Sequence, residues 1–306
     1  MAFTLQKQDY EFIKYLAGYR ALSAPQLAAV FRKSEGVIRR RCREFKDEGV
    51  IKVINSKLVQ NFGRPKSLFG LTERGVDLLR DKGLIGKDVP YENVGPVSNR
   101  LINHQLLLNW FRIHLHEIDK VEPKPTLKFW SYSSPFVPRK EDGSLIIMDH
   151  SPIGRRTVRQ VRFTPDAVFL LINAAGDKSM LFFLEADCGT ETLSSPQCDM
   201  SDIRQKILNY QWYFQTLKYK RYEKIFGIPF LHGFRVLFLT KTAGRLAALC
   251  KLTQEMAPSD FIWLAEQERL FTDGVFAKIW ARGGNLQVVQ RSIIGRMHCR
   301  TPLPQR

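Results

Sequence analysis

Two apolar runs that carry carboxylates at one end constrain this chain more than any other feature. The first runs from Phe163 to Asn173 and opens on Thr164-Pro165-Asp166; the second runs from Met180 to Asp187 and closes on Glu185-Ala186-Asp187. Both are rich in branched and aromatic residues, and the turn Ala174 to Lys178 between them predicts a buried β-hairpin. Antiparallel pairing across that turn brings Asp166 beside Glu185, and a two-residue offset puts Glu185 and Asp187 on one face of their strand. Carboxylates at the end of an apolar strand are costly to bury unless they are paired or hold a cation. Asp166, Glu185 and Asp187 are therefore a candidate divalent-metal site. In the alternative, Glu185 pairs with Lys206 or Arg204 while Asp187 and Glu191 cap loops.

The N-terminal part has a different pattern. Phe12, Ile13, Leu16 and Tyr19 recur at helical spacing, and Leu22 to Leu27 predicts a second helix with Pro25 near its first turn. A third helix runs from Ser34 to about Glu48, with Ile38, Cys42 and Phe45 inward and Arg39, Arg43 and Lys46 on the neighbouring face; Arg40 and Arg41 add charge. Strands at Val50 to Ile54 and Ser67 to Leu71 flank a basic stretch with Arg64 and Lys66, and a closing helix starts at Thr72. This is the order of a winged helix-turn-helix, whose third helix enters the major groove. Residues 1–82 hold 17 Lys and Arg against 9 Asp and Glu. Phosphate contact explains charge gathered there, so Arg39, Arg40, Arg43, Lys46, Arg64 and Lys66 are the candidate DNA-binding residues; the competing reading is a solvated helix face.

The whole chain agrees with a polyanionic partner: its formal charge is +17 with a pI near 9.8. No apolar run of about eighteen residues and no signal peptide stands in the sequence, so a cytoplasmic protein without membrane contact is expected. The five cysteines form no CxxC pair, which argues against structural zinc and a disulfide framework. Cys188 beside the acids has no neighbouring histidine and is a weak candidate nucleophile. RNA processing fits the charge but lacks an aromatic platform for single strands.

Residues 83–98 contain Gly86, Pro90, Gly95 and Pro96 without periodicity and predict a linker. A second domain follows over 99–285, then a basic tail over 286–306. Its elements are a long helix from Asn99 to about Asp119, a strand around Lys128 to Tyr132, the acidic hairpin, a helix from about Asp199 to Tyr219, a strand Phe234 to Thr240, a helix Ala243 to Met256 and a strand Phe261 to Ala265. That alternation predicts an α/β (α+β) fold, a mixed sheet flanked by helices. Gln205, Lys206, Asn209 and Tyr210 lie on one side of the helix after the hairpin.

Pro165-Asp166, Glu185-x-Asp187 on the next strand and a helix with Gln205, Lys206 and Tyr210 resemble the restriction-endonuclease-like PD-(D/E)XK core. The fuller text, Thr164-Pro165-Asp166-Ala167, Leu184 to Glu191 and Lys206-x-x-x-Tyr210 behind a winged helix, resembles the replication-relaxation family of plasmids and integrative elements over roughly residues 5 to 285. The resemblance implies a DNA-binding protein acting in replication or relaxation of a mobile element. Its partners would be double-stranded DNA, a second copy, or a replication or mobilisation protein. It also implies a nuclease-like site in which Asp166, Glu185, Asp187, Lys206 and Tyr210 are the catalytic candidates. Asp166 and Glu185 would hold Mg2+ with the Ala186 carbonyl, for metal-dependent phosphodiester nicking. Asp187 stands where the motif has lysine, and an anion there cannot stabilise charge developing on phosphorus. Lys206 as the substitute, two metals on three carboxylates, and loss of cleavage are the outcomes left open. The last makes the domain a non-enzymatic scaffold of a replication or transcription factor.

Overall fold

The computed structural model describes residues 5–54, 67–152, 160–194 and 202–299. The chain divides into two compact units, one of residues 1–113 with 133–137, the other of 114–132 with 138–305.

The first unit holds α1 (Lys7–Tyr19), β1 (Leu22–Ser23), α2 (Ala24–Phe31), α3 (Glu35–Asp47), β2 (Ile51–Ile54), β3 (Leu68–Leu71), α4 (Glu73–Asp81) and most of α5 (Ile102–His116). Helices α2, α3 and α4 each begin where a side chain can take an orphan backbone donor. Ser23 Oγ accepts from Gln26 N at 3.3 Å while Gln26 Oε1 accepts from Ser23 N at 3.1 Å. Ser34 opens α3 on Val37 N and Thr72 opens α4 on Gly75 N. Ile13, Leu16, Leu27, Phe45, Leu71, Val76 and Leu79 are fully buried between them. Phe12 stacks on Phe31 and Phe45 with centroids 5.0 and 5.1 Å away. The strands form a three-stranded sheet in the order β1-β3-β2. Arg64 and Lys66 lie outside the described residues.

The stretch expected as a linker carries tertiary contacts in this unit. Arg20 donates to the carbonyls of Gly95 and Glu92, Tyr91 Oη donates to Leu71 O at 2.9 Å, and Val94 is fully buried. Gly70 on β3 has no side chain because one would not fit: a Cβ there would stand 2.6 Å from Pro96 Cγ. From α5, Asn109 donates to Tyr19 O and Ala21 O, and Arg112 to Gly18 O, so carbonyls at the end of α1 find partners there. The boundary between the units accordingly falls within α5, after Ile113, later than the expected 83–98.

The second unit is built on a six-stranded mixed sheet. In chain order its elements are β4 (Val121–Glu122), β5 (Thr126–Ser131), β6 (Asp149–Pro152), β7 (Gln160–Phe163), β8 (Ala167–Ile172), β9 (Ser179–Asp187), α6 (Ile203–Gln215), α7 (Arg221–Phe226), β10 (Phe234–Thr240), α8 (Ala243–Glu255), β11 (Ile262–Glu266), α9 (Gln267–Thr272), β12 (Ala281–Arg282) and β13 (His298–Cys299). The sheet order is β12-β11-β10-β9-β8-β5. Strands β5, β8 and β9 form an antiparallel meander, and β9, β10 and β11 run parallel, joined through α6 and α8. Phe169, Leu170, Leu181, Leu184, Val236, Leu237, Phe238 and Leu239 are fully buried, as expected of central strands covered on both faces. The mixed α/β class matches the sequence expectation.

Two details differ from it. The first apolar run is broken at Thr164–Asp166: Gln160–Phe163 pairs with Asp149–Pro152 in a separate two-stranded sheet, and the sheet strand starts at Ala167. Proline has no N–H for a ladder, so the chain changes partner there. The expected tail is structured over part of its length, with Arg291 bridged to Trp280 and β13 paired with β4. Among the described residues no helix is long and apolar enough to cross a membrane.

Candidate functional site

The hairpin register places the acids together. Asp166 N donates to Leu184 O at 3.1 Å and Asp166 Oδ2 accepts from Ala186 N at 2.8 Å, which fixes the carboxylate against the end of β9. Glu185 and Asp187 close that strand, opposite Phe238 and Thr240 of β10. All three acids are buried.

Their counter-charges come from two helices. Asp202 opens α6 by accepting from Gln205 N at 2.7 Å, and the helical spacing then carries Lys206 and Tyr210 to Glu185. Lys206 Nζ stands 3.1 Å from Glu185 Oε2 and 2.9 Å from Glu191; Tyr210 Oη donates to Glu185 Oε1 at 2.5 Å. Glu185 is thus paired with Lys206 on one oxygen and with Tyr210 on the other. Thr242 opens α8, whose Arg245 Nε donates to Asp187 Oδ2 at 2.5 Å. Arg245 Nη2 also reaches Asp187 Oδ1 at 3.3 Å and Glu191 O at 2.6 Å. Asp187 Oδ1 accepts from Gly189 N at 2.9 Å, the loop-capping role anticipated for it. Behind Lys206, Asn209 Oδ1 accepts from Gln205 Nε2 at 2.7 Å and Ser151 Oγ at 2.6 Å.

Burial pushes the Glu185 carboxyl up to about 7, against the pull of the Lys206 ammonium; nearby Asp166 adds to the rise. Lys206 is held above the usual lysine range: Glu185, Asp166 and Glu191 outweigh the burial that opposes its charge. Tyr210 is pushed well above the ordinary phenol value, by burial first and then by Glu185. Burial also raises the Cys188 thiol to about 11, so it stays protonated at neutral pH and is a poor nucleophile.

The donor set can be weighed against a divalent metal. Among the described residues no three Asp, Glu, His or Cys side chains gather as a ready-made metal cage. Asp187 is engaged by Arg245 and the Glu185 oxygens by Lys206 and Tyr210, so a metal held by Asp166 and Glu185 would share Glu185 with Lys206. Mg2+ binds through one or two carboxylates with water and substrate oxygens completing its shell, and that pair of acids fits this demand.

The N-terminal candidates sort by their partners. Arg41 is committed to the fold, with Nε 3.1 Å from Asp9 Oδ1, a bond to Glu44 and its guanidinium 4.6 Å over the Phe45 ring. Arg39 pairs with Glu35 at 3.0 Å on the exposed surface. Arg40, Arg43 and Lys46 are exposed, and among the described residues they make no ion pair. The buried stripe Ile38, Cys42 and Phe45 occupies the other side of the helix.

These units define a mixed α/β protein with a basic helical module and a sheet bearing buried acids. A family model for replication-relaxation proteins matches residues 13–228, and the chain belongs to that family. No curated protein and no solved structure matches it. Membership indicates a role in the replication or relaxation of mobile elements.

Arg245 is the residue at the acid cluster that sequence reading missed. It lies in the first turn of a helix far along the chain, and an Arg near a Thr cap gives no sign of a buried partner.

Proposed function

We propose that this chain binds double-stranded DNA of a mobile element through α3, as the recognition helix of a winged helix-turn-helix. The observation that carries the reading is the division of labour along α3: Ile38, Cys42 and Phe45 are buried, Arg41 is tied to Asp9, and Arg40 and Arg43 are exposed without an ion pair among the described residues. Exposed guanidinium groups on the face opposite the core suit phosphate and base-edge contact. Duplex binding by the full chain, compared with an Arg40→Ala, Arg43→Ala variant, tests it; equal affinity in the two would remove α3 from the interface.

A second reading, metal-dependent nicking, is favoured by the adjacency of Asp166 and Glu185 with Lys206 on the same carboxylate. Asp166 and Glu185 would hold Mg2+, which when bound supplies a polarised phosphate and a more acidic water. Lys206, which pairs with Glu185 and Glu191, would supply the cation for a phosphate oxygen that the motif's lysine supplies elsewhere. Tyr210 orients Glu185 through its hydroxyl; its burial and high proton affinity suit a hydrogen-bond donor and not a nucleophile. Conversion of supercoiled plasmid to open circles with Mg2+, stopped by chelator and by Asp166→Asn, would support it. Binding without conversion in any metal would leave the sheet unit as a scaffold, where a replication protein or a second copy docks.

A further inference from the structure

The exposed face of α3 carries one large apolar side chain. Val37 is 43 % exposed at the first turn of a helix whose other outward groups are Glu35, Gly36 and charged residues further along. Its backbone is fixed by the cap, since Val37 N donates to Ser34 Oγ at 3.4 Å. Arg40 follows three positions later, so the two side chains are neighbours on the helix surface. Gly36 precedes it, and a Cβ there would meet nothing within 4 Å. The opening turn is thus narrow, with backbone open to solvent at Gly36 and one branched apolar group next to a guanidinium.

We infer that Val37 is a specificity residue that packs on the C5-methyl of a thymine in the major groove, beside a base edge or phosphate held by Arg40. This rests on the assignment of α3 to duplex DNA and adds the base it reads. Residues at the start of a recognition helix lie nearest the base edges, and an apolar side chain distinguishes thymine by its methyl, the group that deoxyuridine lacks. A half-exposed β-branched residue gives little gain in folding: it has low helix propensity and leaves 43 % of its surface in water. In the groove it gains the burial it lacks in the free protein.

The test uses the full chain. Duplexes are selected from a random pool at physiological salt, and each thymine of the selected site is then replaced singly by deoxyuridine. One replacement is expected to weaken wild-type binding about fourfold, the equivalent of withdrawing one buried methyl. The same replacement should leave Val37→Ala unaffected, with Val37→Ala already weaker on the thymine site. Equal methyl dependence in the two proteins would overturn the inference, as would a wild-type chain that binds duplex but selects no sequence. In both cases a loss of affinity in Arg40→Ala, Arg43→Ala would keep the DNA-binding reading alive. A wild-type chain that binds no duplex would remove that reading and this inference together. Val37→Ala changes an exposed side chain, and an unchanged thermal midpoint confirms that binding, not folding, is being read.

Discussion

Arg245 Nε lies 2.5 Å from Asp187 Oδ2, an ion pair that ties the first turn of α8 to the last residue of β9. Lys206 does the same for Glu185 from α6. Each strand acid therefore has its own helical cation, and Glu191 takes part in both arrangements, with its side chain on Lys206 and its carbonyl on Arg245. The loop after β9 is held at the site by the two cations that neutralise it.

Removing one member of such a pair should be costly. Asp187 is 2 % exposed, and Arg245→Leu leaves it buried without its counter-charge. A drop of about 3 kcal/mol or more in urea unfolding is expected. Asp187→Asn added to the same chain should restore part of it, and a double variant no more stable than Arg245→Leu would show that the pair is not the cause.

The Glu185 carboxyl gives a pH signature. Its folded value is raised to about 7, so between an unfolded value near ~4.5 and 7 the unfolded chain gives up its proton first. The folded state binds more protons in that window, and stability falls as pH rises through it. The full contribution is on the order of 3 kcal/mol, present below pH ~4.5 and lost above 7. Lys206, with its proton affinity raised, stays charged throughout. Urea unfolding of the full chain from pH ~4.5 to ~8 should show this fall in the wild type and not in Glu185→Gln; parallel curves would refute the assignment.

Lys206→Met should separate stability from site chemistry. It deprives Glu185 and Glu191 of their shared cation, and a penalty of a few kcal/mol is expected at about pH 8, where Glu185 is ionised. Below about pH 5 the penalty should shrink, because the Glu185 carboxyl is then neutral. A penalty independent of pH would mean that Lys206 contributes packing instead of charge.

Gly36→Ala should move stability and binding in opposite directions. No atom lies within 4 Å of the added methyl, and alanine favours a helix over glycine by up to ~1 kcal/mol. The melting temperature should rise slightly while duplex affinity falls, because the methyl stands between the helix backbone and the groove. A parallel rise in both would place the start of α3 away from DNA.

Much of this architecture is legible in the sequence, for physical reasons that can be named. The hairpin and its acids are local: pairing follows from a short turn between two apolar runs, and Lys206 and Tyr210 follow from helical spacing on one element. The arginines of α3 stand out because Ile38, Cys42 and Phe45 mark the opposite face. The break at Pro165 is readable, since proline cannot join a ladder, but the apolar run on either side masks it. Arg245 is not readable, because its partner is 58 positions away and nothing local distinguishes it from a solvated arginine. The packing of residues 83–98 is hidden likewise: Gly and Pro there mark turns, but the carbonyls of Glu92 and Gly95 are held by Arg20, 72 and 75 positions earlier.

Titration of a fluorescent duplex with the full chain across a salt series tests the central claim most directly, with Arg40→Ala, Arg43→Ala as the comparison. The logarithm of affinity should fall linearly with the logarithm of salt in the wild type. The variant should bind more weakly at low salt with a slope shallower by about one to two, roughly one for each arginine that neutralised a phosphate. Identical slopes and affinities would contradict the assignment of α3 to DNA.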